Sequence, residues 1–134
     1  MYVRFALLMS KHLNWQKEFG TVVDDVKIVW YDSFNPNVKF MKNDINFDVF
    51  CCFYNLAVLY LYKAIHFSFE DLNSTRQESI KCAKTAYFLL NRMRNFYYSG
   101  FVNTGFSDTD YSHLEILENL AQGIFYKNVF NMFK

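Results

Sequence analysis

The chain has 134 residues, with 14 Lys and Arg against 13 Asp and Glu (net charge +1); 52% of it is hydrophobic and 21% aromatic, and it holds 4 Gly and 1 Pro. High apolar content with little net charge excludes a disordered tail, and the missing basic excess argues against a nucleic-acid binder. So few turn residues disfavour a many-hairpin β fold; the length fits one domain, and so much ring surface must be buried against itself, a partner or a membrane.

In residues 1–19, Phe5, Leu8, His12, Trp15 and Phe19 fall near helical spacing, and Gly20 is a plausible stop. The apolar run from Phe5 to Met9 is too short for a signal-peptide core, and Lys11 and His12 follow at once. Residues 21–34 are the best strand segment: Val26, Ile28 and Trp30 alternate with Lys27, Val29 and Tyr31 among dense β-branched residues. The strand is placed near 25–31, and Asn35-Pro36-Asn37 makes a turn. A second helix starts near Asn43 or Asp44, both good N-cap residues, and runs to about His66. Residues 49–62 carry no charge, a stretch shorter than the ~20 residues of a bilayer span, so a central core helix is favoured over a membrane helix.

The polar break from Asp71 to Ser74 precedes two overlapping capping boxes, Ser74 with Gln77 and Thr75 with Glu78. The helix that follows has Ile80, Ala83, Tyr87, Leu90 and Tyr97 on one face and stops at Ser99-Gly100. After a polar loop over 101–109, Ser112 with Glu115 caps a last helix carrying Leu117, Leu120, Ala121, Ile124, Phe125 and Val129. The fold class expected is mainly α: an antiparallel, solenoid-like bundle of about four long helices with one short strand.

Little in the chain points to chemistry. Cys51, Cys52 and Cys82 are odd in number and form no C-x-x-C, so they read as reduced core thiols of a cytosolic protein. His12, His66 and His113 lack metal-ligand neighbours at i+3 or i+4 and read as structural or surface histidines. The acid pairs Asp24/Asp25 and Asp108/Asp110 read as solvated turn acids. No phosphate-cradling or nucleophile-elbow motif occurs. No catalytic site, cofactor or metal is expected. Tyr97, Tyr98, Phe101, Phe106 and Tyr111 cluster around a loop; core packing is favoured over the rim of a groove.

Several segments, taken in order, carry a resemblance. Trp30-Tyr31-Asp32-Ser33-Phe34 ends the strand; Ile45-Asn46-Phe47-Asp48 and Phe53-Tyr54-Asn55-Leu56-Ala57-Val58-Leu59-Tyr60 follow on the core helix. Then come Ala83-Lys84-Thr85-Ala86-Tyr87-Phe88-Leu89-Leu90 and Leu120-Ala121-Gln122-Gly123-Ile124-Phe125-Tyr126-Lys127. The order and spacing resemble the BRO domain of the ALIX family, with its W-x-D-x-F strand end, its F-E-x-x-x-x-L-F-N-x-A-x-L core helix, and its A-A-x-x-F and A-Q-x-x-x-F helices. The resemblance covers residues 5 to 130 approximately.

The resemblance implies a cytoplasmic, endosome-associated scaffold for endosomal sorting, with its membrane association peripheral and through partners. It implies docking of the C-terminal amphipathic helix of an ESCRT-III filament subunit in a shallow apolar groove. The groove aromatic falls on Phe125, with Val129 on the same face; an acid falls on or near Asp71; and Thr75, beside Arg76, stands where the family has a basic residue. The family domain is longer, so 1–134 is expected to be a single truncated BRO-like domain, with further groove residues beyond Lys134 and apolar surface left for self-association. Two other readings are a generic helical adaptor or structural subunit with another partner, and a small membrane-associated protein using residues 45–62.

Overall fold

The computed structural model describes residues 28–42, 45–70, 72–97 and 107–133. The expected helix over 1–19, the strand residues before Ile28, the Asn43/Asp44 cap, Asp71, and Tyr98, Phe101 and Phe106 of the aromatic cluster lie outside these residues. The described part is mainly helical. Strands β1 (Ile28–Tyr31) and β2 (Lys39–Lys42) are followed by helices α1 (Ile45–Ser68), α2 (Asn73–Arg92) and α3 (Tyr111–Met132). A π-helical turn, Met93–Tyr97, continues α2, and a 3-10 turn, Ser107–Thr109, precedes α3.

The sequence reading placed one strand before the Pro36 turn; the structure has a second after it. β1 and β2 pair antiparallel, with Trp30 opposite Phe40 and Tyr31 opposite Lys39. The turn is built by Asp32, whose Oδ1 accepts hydrogen bonds from the backbone N–H of Phe34 (2.8 Å) and Asn35 (3.0 Å), while Val38 N–H donates to Asn35 O (2.8 Å). Side chains alternate across the sheet: Trp30 and Phe40 pack on the core, whereas Val29, Tyr31 and Met41 are exposed. The Phe40 and Phe47 ring centroids lie 4.7 Å apart, joining the sheet to the start of α1.

The helices are antiparallel in sequence order, and two core layers hold them. One gathers Phe47, Phe50, Phe53, Tyr54, Leu90, Met93 and Leu114 beneath the sheet. The other is narrow and rich in small residues: Ala64, Ala83, Ala86 and Ala121 are fully buried beside Leu61, Cys82 and Ile124. With alanine contributed by all three helices, this layer has little side-chain volume, and larger residues there would strain the packing.

Polar ties fix how the helices sit. Ser79 Oγ on α2 donates to Ala64 O on α1 (2.6 Å) and accepts from Asn128 Nδ2 on α3 (3.0 Å); Asn128 also donates to Ile124 O (2.9 Å). Towards the other end, Asn91 Nδ2 donates to Glu118 Oε1 (2.9 Å), and Arg94 Nε lies 3.2 Å from the buried Glu118 Oε2. The Arg94 guanidinium also reaches Glu115 Oε1 (3.2 Å) and lies 5.0 Å from the centroid of the Tyr111 ring.

The helix starts differ from the expected capping boxes. At α2 the N-cap is Leu72, with no side-chain cap; Thr75 Oγ1 instead donates back to Leu72 O (2.8 Å). At α3 the N-cap is Asp110, whose side chain accepts from Ser112 N–H (3.3 Å). An acceptor already extended at the cap position takes the free N–H before a hydroxyl inside the first turn can. Leu120, expected on the packed face of α3, is 44% exposed. Leu114, Glu118 and Asn128 occupy the inward positions, because the polar ties to α2 turn the helix.

Candidate functional site

Three features could carry function. The first holds the residues singled out from sequence. Phe125, half-buried on α3, stands with Gln122 and Tyr126 opposite Ala83, Lys84 and Tyr87 of α2. Together they line a depression of about 220 Å3. Ala83 is fully buried and forms the floor, while the Phe125 and Tyr126 rings meet edge to face at 5.3 Å. Tyr126 and Phe130 are exposed beside it (65% and 63%), and Lys84 and Lys127 are exposed cations on the same two helices.

Val129 lies one turn beyond Phe125, half-buried. Since Ser79 meets Asn128, the start of α2, with Thr75, stands at the same end of the bundle as Val129. Thr75 is only half-buried, and its hydroxyl is engaged by its own first turn. Asp71 lies outside the described residues. The structure thus brings Phe125 together with Tyr87 and Gln122, puts Val129 and Thr75 at one end, and gives Thr75 a local structural bond.

The second feature is an open trough of about 570 Å3 between α1 and α3, lined by Phe34, Asn55, Val58, Leu59, His113 and Leu117 among others. Val58, Leu59 and Tyr62 of α1 are exposed. Residues Phe47–Ser68 are long and apolar enough to cross a membrane by length and composition; Phe47, Ala57, Leu61 and Ala64 of this stretch are buried against the other elements.

The third feature is a polar knot that the sequence reading missed. Asp32 and Asp108 are both buried (3% and 5% exposed), although Asp108 was expected to be a solvated turn acid. Asp32 Oδ2 accepts from Ser107 N–H, and Asp108 Oδ2 accepts from Ser33 N–H (3.0 Å) and Ser33 Oγ (2.9 Å). The two carboxylates thereby exchange bonds between the hairpin turn and the turn before α3. Burial pushes Asp32 up, but the backbone N–H donors of Ser107, Phe34 and Asn35 outweigh it and hold its carboxyl below the ordinary 3.8. The Tyr54 hydroxyl lies 2.9 Å from His113 Nε2, and burial, with Asp108 nearby, pushes the phenol up.

The cysteines are free and buried. Burial, then the charge of Asp48, raises Cys51, and the same causes push Cys52 up to about 11. Burial likewise raises Cys82. All three therefore stay protonated at neutral pH, the opposite of an activated thiolate. Among the described residues, no group of three or more His, Cys, Asp or Glu is placed to hold a metal ion.

Comparison of the chain with protein-family models, with curated proteins and with solved structures found no match.

Proposed function

We propose that the chain is a protein-interaction scaffold of the BRO type. It docks the C-terminal amphipathic helix of an ESCRT-III filament subunit during endosomal and multivesicular-body sorting, in the cytoplasm and at endosomes. The fold in this reading is a solenoid-like antiparallel core of about four long helices. The observation that carries the reading is the depression at Phe125, where an aromatic half-buried between two helices leaves about 220 Å3 open beside exposed Tyr126. That shape suits apolar anchors from a helix, with Lys84 and Lys127 available to an acidic rim. The reading assigns the chain no catalysis and no cofactor. Exposed Leu59, Tyr62, Ile116 and Phe130 support self-association when no partner is present.

The test is a fluorescence-anisotropy titration with an ESCRT-III C-terminal helical peptide. Saturable binding with Kd below about 100 μM, abolished by Phe125→Asp, supports the proposal. No binding, or an affinity unchanged by Phe125→Asp, removes it and leaves a helical adaptor with another partner. The length and hydropathy of Phe47–Ser68 favour one second reading, a membrane-associated protein; persistence in the carbonate-washed membrane fraction selects it.

A further inference from the structure

The walls of the open trough between α1 and α3 hold no Lys, Arg, Asp or Glu. Its α1 side is Asn55, Val58 and Leu59, and Tyr62 follows one turn on. Leu59 and Tyr62 are 59% and 69% exposed. Phe34 in the wall, and Leu120 one turn beyond Leu117, are exposed as well. A continuous apolar face of this kind marks a contact surface.

Pattern, charge and area all fit a second copy of the chain. The exposed positions 55, 58, 59 and 62 of α1 are spaced three, one and three apart, so they read the same in both directions. Their centre lies between Val58 and Leu59. When α1 lies antiparallel on its copy about a two-fold axis there, Val58 meets Leu59 and Tyr62 meets Asn55, each pair twice. The exposed Tyr62 ring of each chain then enters the trough of the other beside Asn55. Residues 49–62 carry no charge, so no side chain near the axis is opposed by its own like charge. Self-pairing at the Phe125 depression would instead gather Lys84 and Lys127 of both copies. Phe34, Asn55, Val58, Leu59, Tyr62 and Leu120 expose roughly 600 Å2 per chain, or about 1,200 Å2 for a pair, the lower end of a standard interface.

We propose that the chain forms a two-fold dimer through the α1–α3 trough, with α1 antiparallel to its copy and Tyr62 of each chain seated beside Asn55 of the other. The dimer does not depend on what docks at Phe125: peptide titration tests that docking, and oligomeric state tests this interface.

The test is sedimentation of the full chain between about 5 and 200 μM. The mass is expected to rise from 16.1 kDa to twice that value, with a Kd below about 50 μM. Tyr62→Lys and Leu59→Lys set like charges across the axis, and each is expected to weaken association at least about tenfold with the circular dichroism of the fold unchanged. Phe88, 59% exposed on α2, is the control: Phe88→Lys is expected to leave the dimer intact. The second measurement needs no added charge. Because the native thiols are buried, a short bismaleimide is expected to join two copies of the Leu59→Cys protein and not of the Phe88→Cys protein. A monomer at about 200 μM overturns the proposal. Nuclear Overhauser effects from Trp15 to Leu59 would then assign the trough to the N-terminal segment, and recovery in carbonate-washed membranes would assign it to lipid. A dimer indifferent to Tyr62→Lys and Leu59→Lys, one equally weakened by Phe88→Lys, or no cross-linking of the Leu59→Cys protein also overturns it.

Discussion

Replacing Ser79 by Ala tests whether the three helices are held by a polar tie through the core. The hydroxyl donates to Ala64 O at 2.6 Å and accepts from Asn128 Nδ2 at 3.0 Å, and Ser79 and Asn128 are 0% and 1% exposed. Loss of the hydroxyl removes two hydrogen bonds worth about 0.5–1.5 kcal/mol each and strands one N–H of the Asn128 amide. The expected cost is about 1–3 kcal/mol, read from urea unfolding followed by far-UV circular dichroism, with the m-value unchanged. Asn128→Leu alone leaves the Ser79 hydroxyl short of a donor and is expected to destabilise as well. The double variant, apolar on both sides, is expected to be more stable than the sum of the single costs by about 1 kcal/mol or more, because no orphan remains. Additive costs, or a Ser79→Ala loss under about 0.3 kcal/mol, would show that packing alone sets the helix positions.

Glu118→Ala leaves Arg94, whose side chain is largely buried, paired with Glu115 alone and Asn91 Nδ2 without its acceptor; a loss of about 1–3 kcal/mol in the same assay is expected, and a loss under about 0.5 kcal/mol contradicts it. Asp32 is held below 3.8 in the fold, so its carboxylate stabilises the protein fully above the unfolded value near 4, and that gain fades as pH falls through the lower folded value. The melting-temperature gap between wild type and Asp32→Asn should therefore be widest at neutral pH and narrow below about pH 4; a gap independent of pH refutes the assignment. Gly123 sits inside α3 with nothing within 4 Å of an added Cβ, so Gly123→Ala should stabilise by about 0.5–1 kcal/mol in thermal melts, and a loss would mean that the position needs its missing side chain.

The helices were legible because apolar spacing over twenty or more residues outweighs any local ambiguity: residues 45–68 and 111–132 are close to where periodicity puts them, although the last helix is capped by Asp110 rather than by the expected Ser112. The hairpin was half-legible. β1 has dense β-branched residues, whereas β2 is the four residues Lys39 to Lys42, whose alternation of Lys, Phe, Met and Lys is too short to stand out. Pro36 between two alternating runs was the available signal. The inward face of α3 was misjudged at Leu120 because hydropathy ranks Leu above Glu118 and Asn128. Partners from α2 decide the rotation, and they are distant in sequence. The Asp32–Asp108 knot was illegible for the same reason: its two halves lie 75 residues apart, and each acid alone looks like a turn residue. Phe125 was placed from a resemblance; its half-buried seat opposite Tyr87 comes from the packing of α2 on α3.

The docking account is tested most directly by mapping the bound peptide on the surface by NMR. With the ESCRT-III helix peptide at saturation, it predicts amide and side-chain shifts concentrated at Tyr87, Gln122, Phe125, Tyr126 and Val129, with Val58, Leu59 and Tyr62 of α1 unmoved. Shifts centred on the α1–α3 trough, or no shifts at all, would contradict it.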